Sequence, residues 1–208
     1  KEFAGELPPG RKCEDDIYVT ASEMLGGLMR RNPAGLVYER KPAERLIVTC
    51  RHHAVLLTSM LRSQGVAARV RAGFCTYVSA PDSNMSTDHW ICEVWNAEEA
   101  RWMLVDPDIQ RVDFPREEFE FAGQVWRQIR KRKADPKRYG AGNFRGVAVI
   151  RNNLVHDFDC LLGNEEMYQE GPLLLRLKAK EIGERVQALL DTMAEATAQE
   201  IDVDTLKP

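Results

Sequence analysis

The sequence predicts an α+β fold, and three observations predict it. A helical apolar period starts at Cys50 and runs to Leu61. Three period-2 stretches follow with no helix between them. The last third then returns to helical periodicity, so strands and helices are segregated rather than alternating. A chain of 208 residues suits one domain, and 44% hydrophobic against 29% charged residues is enough to build a packed core.

Each element has its own signal. "ELPPGRKCEDD" reads as a loop, with two prolines and a glycine. From about Thr20 to Arg31 a helix is expected, with Met24, Leu25, Leu28 and Met29 on one face and "RNPAG" stopping it. "LVYERKPAERLIV" is an irregular approach to the next helix. That helix has Thr49 at its N-cap, Cys50, Ala54, Leu57 and Leu61 along one buried stripe, and Gly65 at its C-terminal cap.

"VAARVRAGFCTYV" then alternates Val66, Ala68, Val70, Ala72 and Phe74 against Ala67, Arg69 and Arg71, a strand. "SAPDSNMST" is a loop, and "DHWICEVW" and "RWMLVDP" are two further strands. Their short connection predicts antiparallel pairing. Pro115 to about Lys133 reads as one helix through Phe119, Ala122, Val125, Trp126 and Ile129, and "ADPKRYGAGNFRG" as a loop. "VAVIRNNLVHDFDCLL" is open between one helix and a strand leading into a helix. The tail from about Leu177 to Gln199 is amphipathic through Ile182, Val186, Leu189, Leu190 and Met193. The expected organisation is a single domain over 1–208, with a core at about 45–110 and a helical extension at about 115–200.

Composition narrows the function classes. A net charge of −3 gives no overall drive toward nucleic acid. The basic stretch "WRQIRKRKADPKR" reads as the solvated end of a helix, where cations are favoured. No apolar run approaches the ~20 residues of a membrane helix, and no signal-peptide-like segment follows Lys1. Five scattered cysteines with no C-x-x-C argue against a zinc site and for a reduced, cytoplasmic protein. The spacing of Asp157, Asn164, Glu165 and Glu166 does not define a calcium loop. No metal or cofactor is expected.

Cys50 carries the chemistry. At a helix N-terminus, free backbone N–H groups and the helix dipole stabilise a thiolate and can hold a neighbouring oxyanion. A small buried hydrophobe is the alternative for a lone cysteine. His52 lies about 200° around the helix from Cys50 and faces away. His53, one turn on, can line the site, but its sequence surroundings show no orienting carboxylate. His89 is the better base. Setting Trp95 opposite Ala100 leaves the loop Asn96–Glu99 and places His89 opposite Asp106, with Cβ atoms about 5 Å apart. Ile91 opposite Leu104 and Glu93 opposite Trp102 complete that face. A Cys50–His89–Asp106 set would perform nucleophilic acyl chemistry.

The blocks "TCRHHAVLLTSMLRSQGVAARVRAGF", "DHWICEVW" and "RWMLVDPD" resemble the core of the transglutaminase-like superfamily. The features that match are a Cys opening a helix, a downstream M-L-R-S-Q-G-V-A-A-R close to the pattern L-L-R-x-x-G-[IV]-x-A-R with Met60 at its first position, a His before a strand and an Asp-Pro ending the next. The later segment "FEFAGQVWRQIR…DPKRYG…VIRNNLVHDF" looks like a bacterial branch of it. The resemblance implies a papain-like core, with the catalytic helix packed on an antiparallel sheet and further C-terminal helices. It implies Cys50 as nucleophile, His89 as base and Asp106 as orienting acid, acting on a small-molecule or peptide substrate. Hydrolysis, transfer to an amine acceptor and a non-catalytic binding role all stay open, and so does the oligomeric state. "ERLIVT" before Cys50 lacks the tryptophan or glycine-rich stretch seen in many members, which leaves the second oxyanion donor unassigned. Tyr38 is a candidate for it by proximity, and His53, Trp90 and Trp95 are candidates to line a substrate groove.

Overall fold

The computed structural model describes residues 10–36, 39–80, 83–168 and 170–198. Helix α1 spans Ala21–Arg31 and is closed at its start by a capping box. Thr20 Oγ1 accepts from the Glu23 N–H at 3.2 Å, and Glu23 Oε2 accepts from the Thr20 N–H at 2.8 Å. Met24 and Leu28 are buried, whereas Leu25 and Met29 face outward. Helix α2 spans Cys50–Ser63 and ends where Gly65 takes φ +76°, the left-handed turn that glycine accepts without strain.

Strands β1 (Ala68–Cys75), β2 (Ser86–Asn96), β3 (Arg101–Asp106), β4 (Arg111–Val112) and β5 (Phe119–Phe121) form a sheet in the order β4-β3-β2-β1-β5. Two short strands, β6 (Tyr139–Ala141) and β7 (Phe144–Arg145), extend it, making seven. The sheet is mixed rather than antiparallel throughout, because β6 joins the start of β2 in parallel at Ser86 and Thr87. The remaining helices are α3 (Ala122–Arg130), α4 (Val147–Leu161) and α5 (Glu184–Ala198).

The expected helix from Pro115 is shorter than its periodicity suggested. Phe119 and Phe121 alternate as β5 and pair with Cys75 and Gly73 of β1, so the helix begins only at Ala122. The 115–200 extension is therefore a β–α mixture: the stretch read as a loop contains β6 and β7, and the ambiguous stretch is the single helix α4. Tertiary pairing with β1 supplied what local period could not reveal.

Val70, Ala72, Trp90, Cys92 and Val94 pack with Met24, Ala54 and Val55 of α1 and α2. Phe74 joins a second cluster built from α3, α4 and α5. There a methyl on Gly123 would stand 2.8 Å from Ala194 O, so the glycine permits the close approach of α3 and α5. Ile91, Leu104, Phe114, Phe119 and Phe121 form a third cluster.

Arg69 and Arg71 do not line a solvated face. Both are buried, and Glu93 Oε2 accepts from Arg69 Nε (2.7 Å) and Arg71 Nη1 (2.6 Å). Arg71 also forms a two-pronged pair with Asp157 of α4 (2.8 and 2.9 Å). Asp157 Oδ1 takes the Ala72 N–H at 2.9 Å, just where β5 stops pairing with β1. Asp157 is thus a clamp that fixes α4 to the open sheet edge. No group of three or more His, Cys, Asp or Glu suited to a metal is found among the described residues.

Candidate active site

Cys50 opens α2 and is half-buried. Thr49 occupies the N-cap with extended backbone but gives no side-chain cap to the first turn. Its hydroxyl instead lies 3.0 Å from His52 Nδ1 and 3.2 Å from the Tyr168 hydroxyl. The helix then runs along β2, with Cys92 Sγ 3.3 Å from both Ala54 O and Thr58 Oγ1. That packing sets its first turn beside the His89 end of the strand.

His89 and Asp106 meet, with Nε2 2.7 Å from Oδ2 and both residues buried. The register that joins them differs from the expected one. Asn96 pairs with Arg101 and Trp95 with Trp102, so the connecting loop is Ala97–Ala100. Asn96 Oδ1 accepts the Glu98 and Glu99 N–H groups, and Ala100 takes φ +50°, which moves the turn one residue along. Every partner shifts by two residues, which preserves the faces. Glu93 therefore opposes Leu104, and His89 and Asp106 are diagonal neighbours beyond the last formal pair, Cys92 with Val105. Ile91 and Leu104 remain buried on that face.

Asp106 is held by four donors. Its Oδ2 accepts from His89 and from the Tyr77 hydroxyl (3.0 Å), and its Oδ1 from the N–H groups of Asp108 (3.0 Å) and Ile109 (3.4 Å). Burial keeps the Tyr77 phenol far above its ordinary range, so it remains a donor. Tyr77 was not singled out from the sequence, yet continuing the alternation of β1 from Gly73 through Cys75 reaches it. Gly73 itself pairs with His89, and the Phe119 ring and β5 backbone fill the space a side chain there would need.

Burial opposes charge on His89, but hydrogen bonds to Asp106 and Cys50 outweigh it and push the imidazole up to about 10. With Nε2 committed to Asp106, Nδ1 is the nitrogen left for the Cys50 thiol. The other thiols lack this setting. Burial pushes Cys75 and Cys92 up to about 12, Cys160 is buried and Cys13 is exposed.

His52 is fully buried and held neutral by burial, its Nε2 donating to Asp15 O at 3.3 Å. It pins the start of α2 to the N-terminal loop. His53 does have a carboxylate partner, contrary to the sequence reading: its Nδ1 lies 2.7 Å from Asp108 Oδ1. The partner is remote in sequence, beyond the reach of any local pattern. Trp90 is buried beneath the site, in edge contact with Tyr168 at 5.5 Å between ring centres. Trp95 is not at the site. It lies six residues along β2 from His89, roughly 20 Å at strand rise, and packs on Trp102. Tyr38 lies outside the described residues. A cavity of about 630 Å³ lined by Glu39, Arg40, Lys41, Arg45 and Gln110 shares no residue with the Cys50–His89–Asp106 set.

Residues 31–107 match the model of the transglutaminase-like superfamily. No curated protein and no solved structure matches the chain. The matched span contains α2, β1, β2 and β3, and with them Cys50, His89 and Asp106. The core of this chain is similar to the transglutaminase-like superfamily, whose members generally carry out cysteine-based acyl chemistry.

Proposed function

We propose that this protein hydrolyses an amide or ester of a peptide-like or small-molecule substrate through a thioester on Cys50. The observation that carries the proposal is the buried His89–Asp106 pair beside a cysteine at a helix N-terminus. Asp106 fixes the ring of His89, and His89 takes the Cys50 proton on Nδ1. As Sγ bonds to the acyl carbon, the carbonyl electron pair moves onto oxygen. Collapse of that adduct breaks the bond to the leaving group, which takes the proton from His89. Water then adds to the thioester and gives a proton to His89. The C–S bond breaks, releasing the carboxylic acid and restoring the thiol. An amine taking the place of water would give transfer instead of hydrolysis.

Five free thiols suit a reducing compartment, and we place the enzyme in the cytoplasm. No described helix is long and apolar enough to cross a membrane.

The test is the reactivity of Cys50. Iodoacetamide should label it faster than Cys13, Cys75, Cys92 or Cys160, and His89→Ala should slow that labelling while His53→Ala does not. Equal labelling of all five thiols would sink the assignment, as would a larger effect at His53 than at His89. Mass spectrometry of the acylated enzyme and its products, with and without added lysine, separates hydrolysis from transfer.

A further inference from the structure

The family match ends at residue 107, yet a side chain from residue 168 reaches the nucleophile. The Tyr168 hydroxyl lies 3.6 Å from Cys50 Sγ and 3.2 Å from Thr49 Oγ1. Its placement is built from several sides. Arg51, the residue after the nucleophile, is buried and extends its guanidinium to Glu166 O (2.8 Å), Glu165 O and Val19 O (3.0 Å). His156 of α4 is buried and faces the Tyr168 ring edge-on, 6.5 Å between ring centres. The Trp90 ring supports the phenol from below. One residue of α2 thus supplies the sulfur, and the next straps down the segment that covers it.

The donors and acceptors around Tyr168 limit what its hydroxyl can do. Asp15 O is a carbonyl and can only accept, so neutral His52 carries its proton on Nε2 and accepts on Nδ1. Thr49 must therefore donate to His52 and can only accept from Tyr168. The phenol has an acceptor in Thr49 and the sulfur of Cys50 on its other side. It is a donor that can turn toward whatever negative charge forms at Cys50.

We propose that Tyr168 is the side-chain oxyanion donor of this enzyme, acting with the backbone N–H of Cys50 at the uncapped start of α2. The oxyanion forms two bonds from the sulfur, so a hydroxyl 3.6 Å from Sγ is in reach of the about 2.7–3.1 Å donor distance the adduct requires. On attack, the C–S bond forms and the carbonyl pair becomes the oxyanion lone pair. The Tyr168 O–H swings from Thr49 to that oxygen and keeps its proton. When the carbonyl re-forms, the hydroxyl returns. The C-terminal extension then completes the active site rather than merely covering the core.

This inference rests on the acyl-transfer reading above, and one experiment separates the two. Tyr168→Phe is compared with wild type in two reactions of Cys50. Acylation by p-nitrophenyl acetate passes through an oxyanion, and alkylation by iodoacetamide does not. Tyr168→Phe should slow acylation about 100-fold or more while leaving alkylation within about twofold, since an oxyanion donor acts only in the transition state. Equal acylation rates would overturn the role of Tyr168 and leave the nucleophile assignment standing. A parallel fall in both reactions would also overturn it, showing that the phenol acts by placing the thiol. If wild-type Cys50 is not acylated at all, both readings fail together.

Discussion

Replacing Asp157 by Asn tests how the extension is held to the core. Wild-type Asp157 is fully buried and accepts from Arg71 Nε at 2.8 Å, Arg71 Nη2 at 2.9 Å and the Ala72 N–H at 2.9 Å. Asparagine keeps the shape but points an N–H₂ group at a guanidinium that can only donate. The charge balance suffers as well. Glu93 and Asp157 are the buried carboxylates facing buried Arg69 and Arg71, with Arg116 adding a third cation 2.8 Å from Glu93 Oε1. The variant leaves Glu93 alone against all three. Breaking one side of a buried pair costs about 3–5 kcal/mol. For a domain of this size each kcal/mol moves the melting midpoint by about 2–4 °C, so the expected drop is roughly 6–20 °C. Differential scanning calorimetry and urea unfolding at neutral pH measure it. A loss below about 1 kcal/mol, the range of an exposed ion pair, would refute the clamp.

Two further predictions concern pH. Asp106→Asn removes the main group holding His89 up to about 10 against burial, so the alkaline limb of kcat/KM should move toward lower pH. An unmoved limb would mean that Asp106 does not set the protonation of His89. Unfolding free energy followed from acid to alkali should show three slopes of known sign. Burial holds His156 down to about 4 from 6.5, so the neutral ring supports the fold above pH 6.5 and that support is lost toward pH 4. Burial also opposes charge on Glu93, but Arg71, Arg69 and Arg116 hold it down to about 2 from 4.5; its contribution is full above 4.5 and lost toward pH 2. His89, raised from 6.5 to about 10, contributes fully below 6.5 and loses that contribution as pH rises through 10. Glu93→Gln should flatten the slope between pH 4.5 and 2, and an unchanged slope would show that another carboxylate carries it.

Local sequence is enough to specify α1 and α2, the three main strands and which faces of β2 and β3 look toward each other. These depend on periods of 3.6 and 2 and on cap positions such as Thr49 and Gly65, all of which lie within a few residues of what they control. The pairing of His89 with Asp106 is legible even though the register differs from the expected one, because a two-residue shift leaves alternation intact. Features that depend on distant partners emerge only from packing. The strand Phe119–Phe121 exists because β1 offers it an edge. Arg69 and Arg71 are buried because Glu93 and Asp157 meet them with charge. His53 gains Asp108 from a turn 55 residues away. Tyr168 reaches Cys50 across 118 residues, brought there by Arg51 and His156, and no local pattern in the chain encodes a contact that exists only once separate elements have packed.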